Sequence, residues 1–300
     1  MATVIPNLFL IGACRSGTTS LGRFLSGHPQ VIWSNPSSNG YFADDIENYR
    51  YIRTEQDYLA CYGSALGSTA YAGEGTTWYL YSQTAVRNIL EFNPQAKFLA
   101  ILRNPVEQLP SFHNILLTQG NEDVIDFEQA WNLRTERRAN RHIPSKCSDY
   151  RFLDYGRTAC YGTQVQRVFD LAGQDRVKVL LYEDYVSDTK SCYKEVLEFL
   201  GLEDDGRDDF PVVNPSRATQ SRLLTHLTHK PSEFRQKWGS RIRNALNVDS
   251  LGVSKVLYAI NSREKGRAPT GLSLENEIRE QYRSEIELLS RLINTDLTHW

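Results

Sequence analysis

Leu8-Phe9-Leu10-Ile11-Gly12-Ala13-Cys14-Arg15-Ser16-Gly17-Thr18-Thr19-Ser20 runs an apolar strand into Gly-x4-Gly and then into a helix opened by two threonines. Strand, glycine loop and helix in that order form the context a phosphate-cradling loop requires. The glycines let backbone amides converge on an anion, and the helix N-terminus adds about half a positive charge. Hydroxyls at Thr18, Thr19 and Ser20 supply further donors. Loops that bind magnesium nucleoside triphosphates carry a lysine directly after the second glycine. Here that position is Thr18, and the cation comes earlier, at Arg15. The loop therefore reads as the holder of a phosphate-bearing donor of another kind.

Outward from this loop, short apolar runs alternate with helix-period segments, the pattern of a parallel sheet covered by helices. Strands are expected at 7–13, 31–34, 70–73, Lys97–Leu102 and 177–182, and helices over Thr18–Ser26, 82–91 and Thr189–Leu200. Pro105 opens a further helix at its first position, where proline is tolerated. The expected fold is α/β: a central parallel sheet of phosphate-loop type flanked by helices, built as a single domain over residues 1–300. Residues 118–151 are polar and charged and read as an insertion or lid, and 203–215 as an internal linker. A C-terminal helix over 274–293 carries an apolar stripe of Ile278, Tyr282, Ile286, Leu289 and Ile293.

Composition narrows the class. Of 300 residues, 40% are hydrophobic and 23% charged, which excludes a disordered chain, a fibre and a membrane bundle. The apolar run from Leu8 to Cys14 is far short of the ~20 residues of a membrane span and lacks the basic flank of a signal peptide. Net charge is −2, so no global basic field recruits nucleic acid. The five cysteines are odd in number and show no CxxC pairing, which fits reduced thiols in a cytoplasmic setting.

A second constellation follows the strand Lys97–Leu102: Arg103-Asn104-Pro105-Val106-Glu107-Gln108-Leu109-Pro110-Ser111. An arginine ending a buried strand serves either as a salt-bridge partner or as an anion ligand. Ser111 lies two helical turns further on, so both residues can face the carboxyl edge of the sheet, where open parallel sheets bind ligands.

These two segments resemble the 5′-phosphosulfate and 3′-phosphate motifs of sulfotransferases that use 3′-phosphoadenosine 5′-phosphosulfate (PAPS). Gly156 to Tyr161, the run Val177 to Asp184, Phe199-Leu200-Gly201-Leu202 and the closing Asp296 to Trp300 also look like that family. Lys265-Gly266-Arg267-Ala268-Pro269 resembles the late loop that closes over the nucleotide in its heparan-type branch. The resemblance implies that Arg15 binds the 5′-phosphosulfate and stabilises the leaving oxygen, with Ser16, Gly17, Thr18, Thr19 and Ser20 cradling the same group. It implies that Arg103 and Ser111 hold the 3′-phosphate under Lys265, Gly266 and Arg267, and that Tyr161 lies near the adenine. A sulfuryl group carries less charge than a phosphoryl group, so a cationic side chain and amides can replace a metal. No metal is expected.

The sequence departs from the family pattern in one place that matters. Many relatives carry a Lys-Glu pair, with the Glu as general base, shortly before an aromatic pair. Here Asn35-Pro36-Ser37-Ser38-Asn39-Gly40 precedes Tyr41-Phe42 and contains neither residue. Glu74, in Gly73-Glu74-Gly75-Thr76-Thr77-Trp78-Tyr79, is the substitute expected to act catalytically, with Asp44, Asp45 and His113 as other candidates. Gln108 stands where relatives often have arginine. The expected activity is sulfuryl transfer to a hydroxyl or amine of a small molecule or saccharide. The alternatives are a nucleotide-binding protein without turnover and a phosphate-loop nucleotide kinase. Tyr41, Phe42 and the stretch Trp78 to Tyr81 suggest an aromatic acceptor pocket. Arg134, Arg137, Arg138 and Arg141 form either a basic groove or a solvated helix face.

Overall fold

The structure is a computed structural model that describes residues 5–63, 69–211 and 271–300, with the backbone of 218–219 and 262–263. The chain divides into two compact units. The first comprises Met1–Leu109, Gly156–Asn214 and Glu275–Trp300, and the second Pro110–Tyr155 and Pro215–Leu274.

The first unit is organised by β1 (Leu8–Gly12), whose residues are all buried. A strand covered on both faces reads as a continuous apolar run rather than an alternation. Around it lie β2 (Val31–Trp33), β3 (Tyr71–Glu74), β4 (Lys97–Leu102) and β5 (Val177–Leu181) in the order β2-β3-β1-β4-β5. Every neighbouring pair is parallel. After β1 the chain moves to one side of the sheet, and with β4 it crosses to the other. The switch point is therefore the β1/β4 seam, where such sheets place ligands.

One face of the sheet (Leu8, Leu10, Leu99, Ile101, Leu180) packs on Leu21, Phe24 and Leu25 of α1 (Thr18–Ser26) and on Tyr193, Val196 and Leu197 of α10 (Thr189–Leu200). On the other face Phe9 stacks on Phe98 at 5.9 Å and meets Phe42 edge-on at 5.8 Å. The helix expected over 82–91 is α3, Ala85–Phe92. It starts later because Ser82 Oγ accepts from the amides of Thr84 and Ala85 and donates to Asp45, making 82–84 the cap. β5 stops at Leu181 because Tyr182 opens α9 (Tyr182–Ser187) directly. The C-terminal helix, α11, spans Leu272–Ile293, two residues more than expected.

The second unit contains α5 (Phe127–Asn132) and α6 (Arg134–Arg138), both within residues 118–151, and an antiparallel pair, β6 (Ala218–Thr219) with β7 (Ser262–Arg263). The arginine cluster is a solvated face at Arg138 and Arg141 and a buried clamp at Arg137. Arg137 is fully buried and grips both carboxylate oxygens of Glu122, which also accepts from the Tyr155 hydroxyl at 2.8 Å. Burial pushes Glu122 up, but the Arg137 guanidinium together with the Val124 amide and the Tyr155 hydroxyl outweighs it and holds the carboxyl below its ordinary range. Arg138 pairs with Asp154 at 3.0 Å, Arg141 with Glu136 at 2.5 Å, and Arg134 lies 4.2 Å over Trp131. Each cation is committed inside the unit.

Candidate functional site

Glycine at position 12 is dictated by space, because a Cβ there would lie 2.8 Å from Leu80 Cβ. The close approach lets the Leu80 amide donate to Ile11 O at 2.9 Å, and on the other side Ala13 N donates to Ile101 O at 2.7 Å. The loop is thus clamped between β4 and the segment after β3. Arg15 and Gly17 both take left-handed backbone, φ 70° and 85°. For arginine that conformation costs about 1 kcal/mol, a strain that clusters at ligand sites. Alternating backbone of this kind turns successive N–H groups into an anion-binding concavity. Gly17 is also the N-cap of α1 and supplies no side-chain hydrogen bond, so it leaves amides at the helix start for another acceptor. A Cβ on Gly17 would stand 3.2 Å from the Tyr185 ring.

Three polar atoms around this loop are buried with no partner among the described residues: Ser16 Oγ, Arg103 Nε and Gln108 Oε1. The rest of each side chain is held. Arg103 Nη2 pairs with Glu107 at 3.2 Å, Nη1 reaches Arg15 O at 3.5 Å, and the guanidinium lies 4.5 Å over the Tyr182 ring. Gln108 Nε2 donates to Cys14 O at 3.0 Å. Arg103 and Gln108, on β4's exit and on α4 (Pro105–Gln119), are therefore tied to the loop itself. A buried polar atom without a partner costs about 1–3 kcal/mol. Three such atoms gather at this switch point, two able to donate and one able only to accept, where a ligand could pair with them. Burial pushes the Cys14 thiol up to about 11 despite the Arg15 charge, so it stays a neutral wall of the loop. Tyr161 opens α8 (Tyr161–Ala172); its ring is fully buried within the electrostatic reach of Arg103.

Ser111 is buried on α4 within the second unit. Lys265, Gly266 and Arg267 lie outside the described residues.

Glu74, the last residue of β3, is 0% exposed. Its Oε2 accepts from Asn39 Nδ2 at 2.6 Å and Thr76 Oγ1 at 3.0 Å, and its Oε1 from the hydroxyls of Tyr58 at 3.0 Å and Tyr79 at 3.3 Å. Burial outweighs these four donors and pushes the carboxyl up to about 7. Asn39 extends the cluster, its Oδ1 accepting from Tyr41 N at 3.0 Å and its carbonyl from Tyr51 N at 3.0 Å. Gly75 N donates to Ser37 O at 2.8 Å. Glu74 is thus the hub that holds the segment where relatives carry their Lys-Glu pair. Asp45 caps the α3 start through Ser82 Oγ at 2.5 Å and Gln83 N at 2.9 Å, and Asp44 is held by Thr84 Oγ1. The His113 ring bonds Val124 O at 2.8 Å within the second unit, and burial lowers its pKa.

Sequence reading missed Tyr182, Tyr185 and Asn39. The first two were placed in or beyond a strand, although Tyr182-Glu183-Asp184-Tyr185 has the i, i+3 spacing that puts both rings on one helix face, against Gly17. Asn39 carries no local signal, since its partner is 35 residues away.

The sequence profile of the sulfotransferase family matches residues 6–206. A membrane-associated sulfotransferase, kil1, of Dictyostelium discoideum is 30% identical over 114 residues, covering 36% of this chain and 23% of that protein. The human bifunctional heparan sulfate N-deacetylase/N-sulfotransferase 2 is 25% identical over 127 residues, 41% of this chain and 14% of its own length. The chain thus spans less than a quarter of these relatives. A solved sulfotransferase from Alicyclobacillus acidocaldarius shares the fold, with a TM-score of 0.72 at 22% identity over 99% of both chains. No described helix is long and apolar enough to cross a membrane, and none of the five cysteines forms a disulfide.

Proposed function

Because the chain belongs to the sulfotransferase family, we propose that it moves a sulfuryl group from PAPS to a hydroxyl or amine of a small-molecule or saccharide acceptor. The observation that carries this reading is the trio of partnerless buried atoms, Ser16 Oγ, Arg103 Nε and Gln108 Oε1, around a left-handed loop at the β1/β4 switch point. When bound, the donor supplies an activated sulfuryl group on a phosphate leaving group. In this reading the amides of Gly17, Thr18 and Thr19, the Ser16 hydroxyl and Ser20 hold the 5′ end, and Arg15 stabilises the charge that grows on the departing phosphate oxygen. The 3′-phosphate is assigned to Arg103, and the family resemblance adds Ser111, Lys265, Gly266 and Arg267. Tyr161 backs the base, and the Tyr182 ring under the Arg103 guanidinium helps fix its position.

Glu74 enters as a positioning residue. A carboxylate with no exposure and four donors orients the 35–42 segment, and a proton from an acceptor would have to cross Asn39, Thr76 or a tyrosine to reach it. The same enclosure favours one alternative, donor binding without turnover. The test is donor consumption: purified protein with PAPS and an acceptor panel, the release of 3′-phosphoadenosine 5′-phosphate (PAP) followed by chromatography, and Arg15→Ala as the control. Acceptor-dependent PAP release that disappears in Arg15→Ala supports the reading. PAP bound but never formed would favour the binding-only alternative. The reduced cysteines fit a cytoplasmic setting.

A further inference from the structure

Arg137, Arg138 and Arg151 each meet a carboxylate, those of Glu122, Asp154 and Asp149. Arg87 of α3 and Arg167 of α8 meet none among the described residues, and both line one pocket of about 380 Å³ within the first unit. A cavity of roughly 300–1,000 Å³ is the size that holds a small molecule.

Arg87 is exposed and makes no hydrogen bond among the described residues, so its whole guanidinium fork faces no competing acceptor. Arg167 is partly buried. Its Nη1 donates to Gln83 Oε1 at 3.2 Å and its Nη2 to Leu80 O at 2.5 Å, both neutral acceptors. Its Nε is buried with no partner among the described residues. A guanidinium withdrawn from water onto neutral acceptors keeps a charge that no contact cancels. Burial lowers its pKa, with Asp45 acting the other way, and Asp45 is itself tied to the α3 cap.

The carboxylates nearest this pocket are committed to other donors. Asp170, which also lines it, accepts from Gln166 Nε2 at 2.7 Å. Glu285 of α11 accepts from Thr163 N at 2.8 Å and Thr163 Oγ1 at 2.7 Å. Both still repel an incoming anion, which favours one negative charge over two. The planar fork of arginine matches the two oxygens of a carboxylate. Leu171 of α8 and Leu288 of α11, each partly buried, supply apolar lining.

We propose that this pocket binds a small organic monocarboxylate, its acid group held by Arg87 and Arg167 and its apolar body laid on Leu171 and Leu288. None of the lining residues belongs to the 12–17 loop or to the group around Arg103, so the inference stands apart from the donor reading.

The test is a calorimetric titration of the full chain with 4-phenylbutyrate, its neutral amide, and 3-phenylpropyl phosphate, which carries the same body on a dianion at about pH 8. The carboxylate binds with millimolar or better affinity, and the amide and the phosphate bind at least tenfold more weakly. Arg87→Ala, at an exposed side chain, leaves the circular dichroism spectrum unchanged and weakens 4-phenylbutyrate about tenfold. Arg167→Lys keeps the charge, loses the fork and weakens it by a similar factor. Arg15→Ala leaves the affinity unchanged. No binding of the carboxylate at millimolar concentration overturns the proposal, and so does binding that survives both arginine variants. Equal affinity for acid and amide overturns it because the guanidinia then play no part, and equal affinity for the phosphate overturns the single charge. Loss of binding in Arg15→Ala would place the acid in the phosphate loop and overturn the site.

Discussion

Two buried polar clusters sit within the first unit, and they are built on opposite terms. Around Glu74 both carboxylate oxygens are paired, with four donors converging from Asn39, Tyr58, Thr76 and Tyr79. Around the 12–17 loop, a hydroxyl, a guanidinium nitrogen and an amide oxygen are buried with no partner among the described residues. Satisfied polar burial rigidifies and specifies a fold, while unsatisfied burial costs about 1–3 kcal/mol per group unless something else fills it. We read the closed cluster as architecture and the open one as the proposed donor site. The contrast also explains why a carboxylate with a raised pKa, ordinarily a marker of catalysis, is read here as a support.

The comparison can be broken from either side. Arg15→Ala, at the open cluster, is expected to lower sulfuryl transfer about 100- to 1000-fold with an unchanged circular dichroism spectrum. Turnover within a few fold of wild type would remove the loop from the chemistry.

At the closed cluster the effect is on stability and its sign is fixed. Glu74's folded pKa is about 7 against an ordinary 4.5, so the folded state binds the proton more tightly. That contribution is fully present below about pH 4.5 and is lost as pH rises through 7, up to about 3 kcal/mol. Urea denaturation at a series of pH values should therefore show a decline across this window that Glu74→Gln removes. An identical decline in the variant would show that Glu74 titrates normally and that the hub is not closed.

Ser16→Ala is the sharper probe, because the two clusters predict opposite signs. Removing a buried hydroxyl that has no partner leaves the unliganded protein as stable as wild type or more stable by about 1–3 kcal/mol, and it weakens PAP binding about tenfold. A large loss of unliganded stability, measured by urea melts, would mean that Ser16 is structural. Ser111→Ala is expected to have the smallest effect, raising the donor KM about fivefold with kcat held. Unchanged donor KM would remove Ser111 from the donor site.

The sheet was legible because its signals are local. β1, α1, β4 and α10 follow from apolar runs bounded by Gly17, Pro105 and Gly201, and the order of strands and helices implies a parallel sheet. The loop was legible for the same reason, since glycine spacing and the displaced cation are both visible in thirteen residues. What escaped was pairing across distance. Glu74 meets Asn39 from 35 residues away, and the Arg137–Glu122 pair joins residues 15 apart, so one of four arginines on paper became a buried clamp. Nothing in the composition of either segment marks its partner. Tyr182 and Tyr185 escaped for a smaller reason, a strand that turns into a helix without an intervening loop.

The most direct measurement is a calorimetric titration of the protein with PAP, first without metal and then with magnesium, beside a titration with ATP and magnesium. With Arg15 in the loop and Thr18 where a triphosphate loop has lysine, PAP should bind with micromolar affinity that magnesium leaves unchanged, and ATP should bind far more weakly. Binding of magnesium ATP with no affinity for PAP would contradict the account and return the loop to the nucleotide kinases.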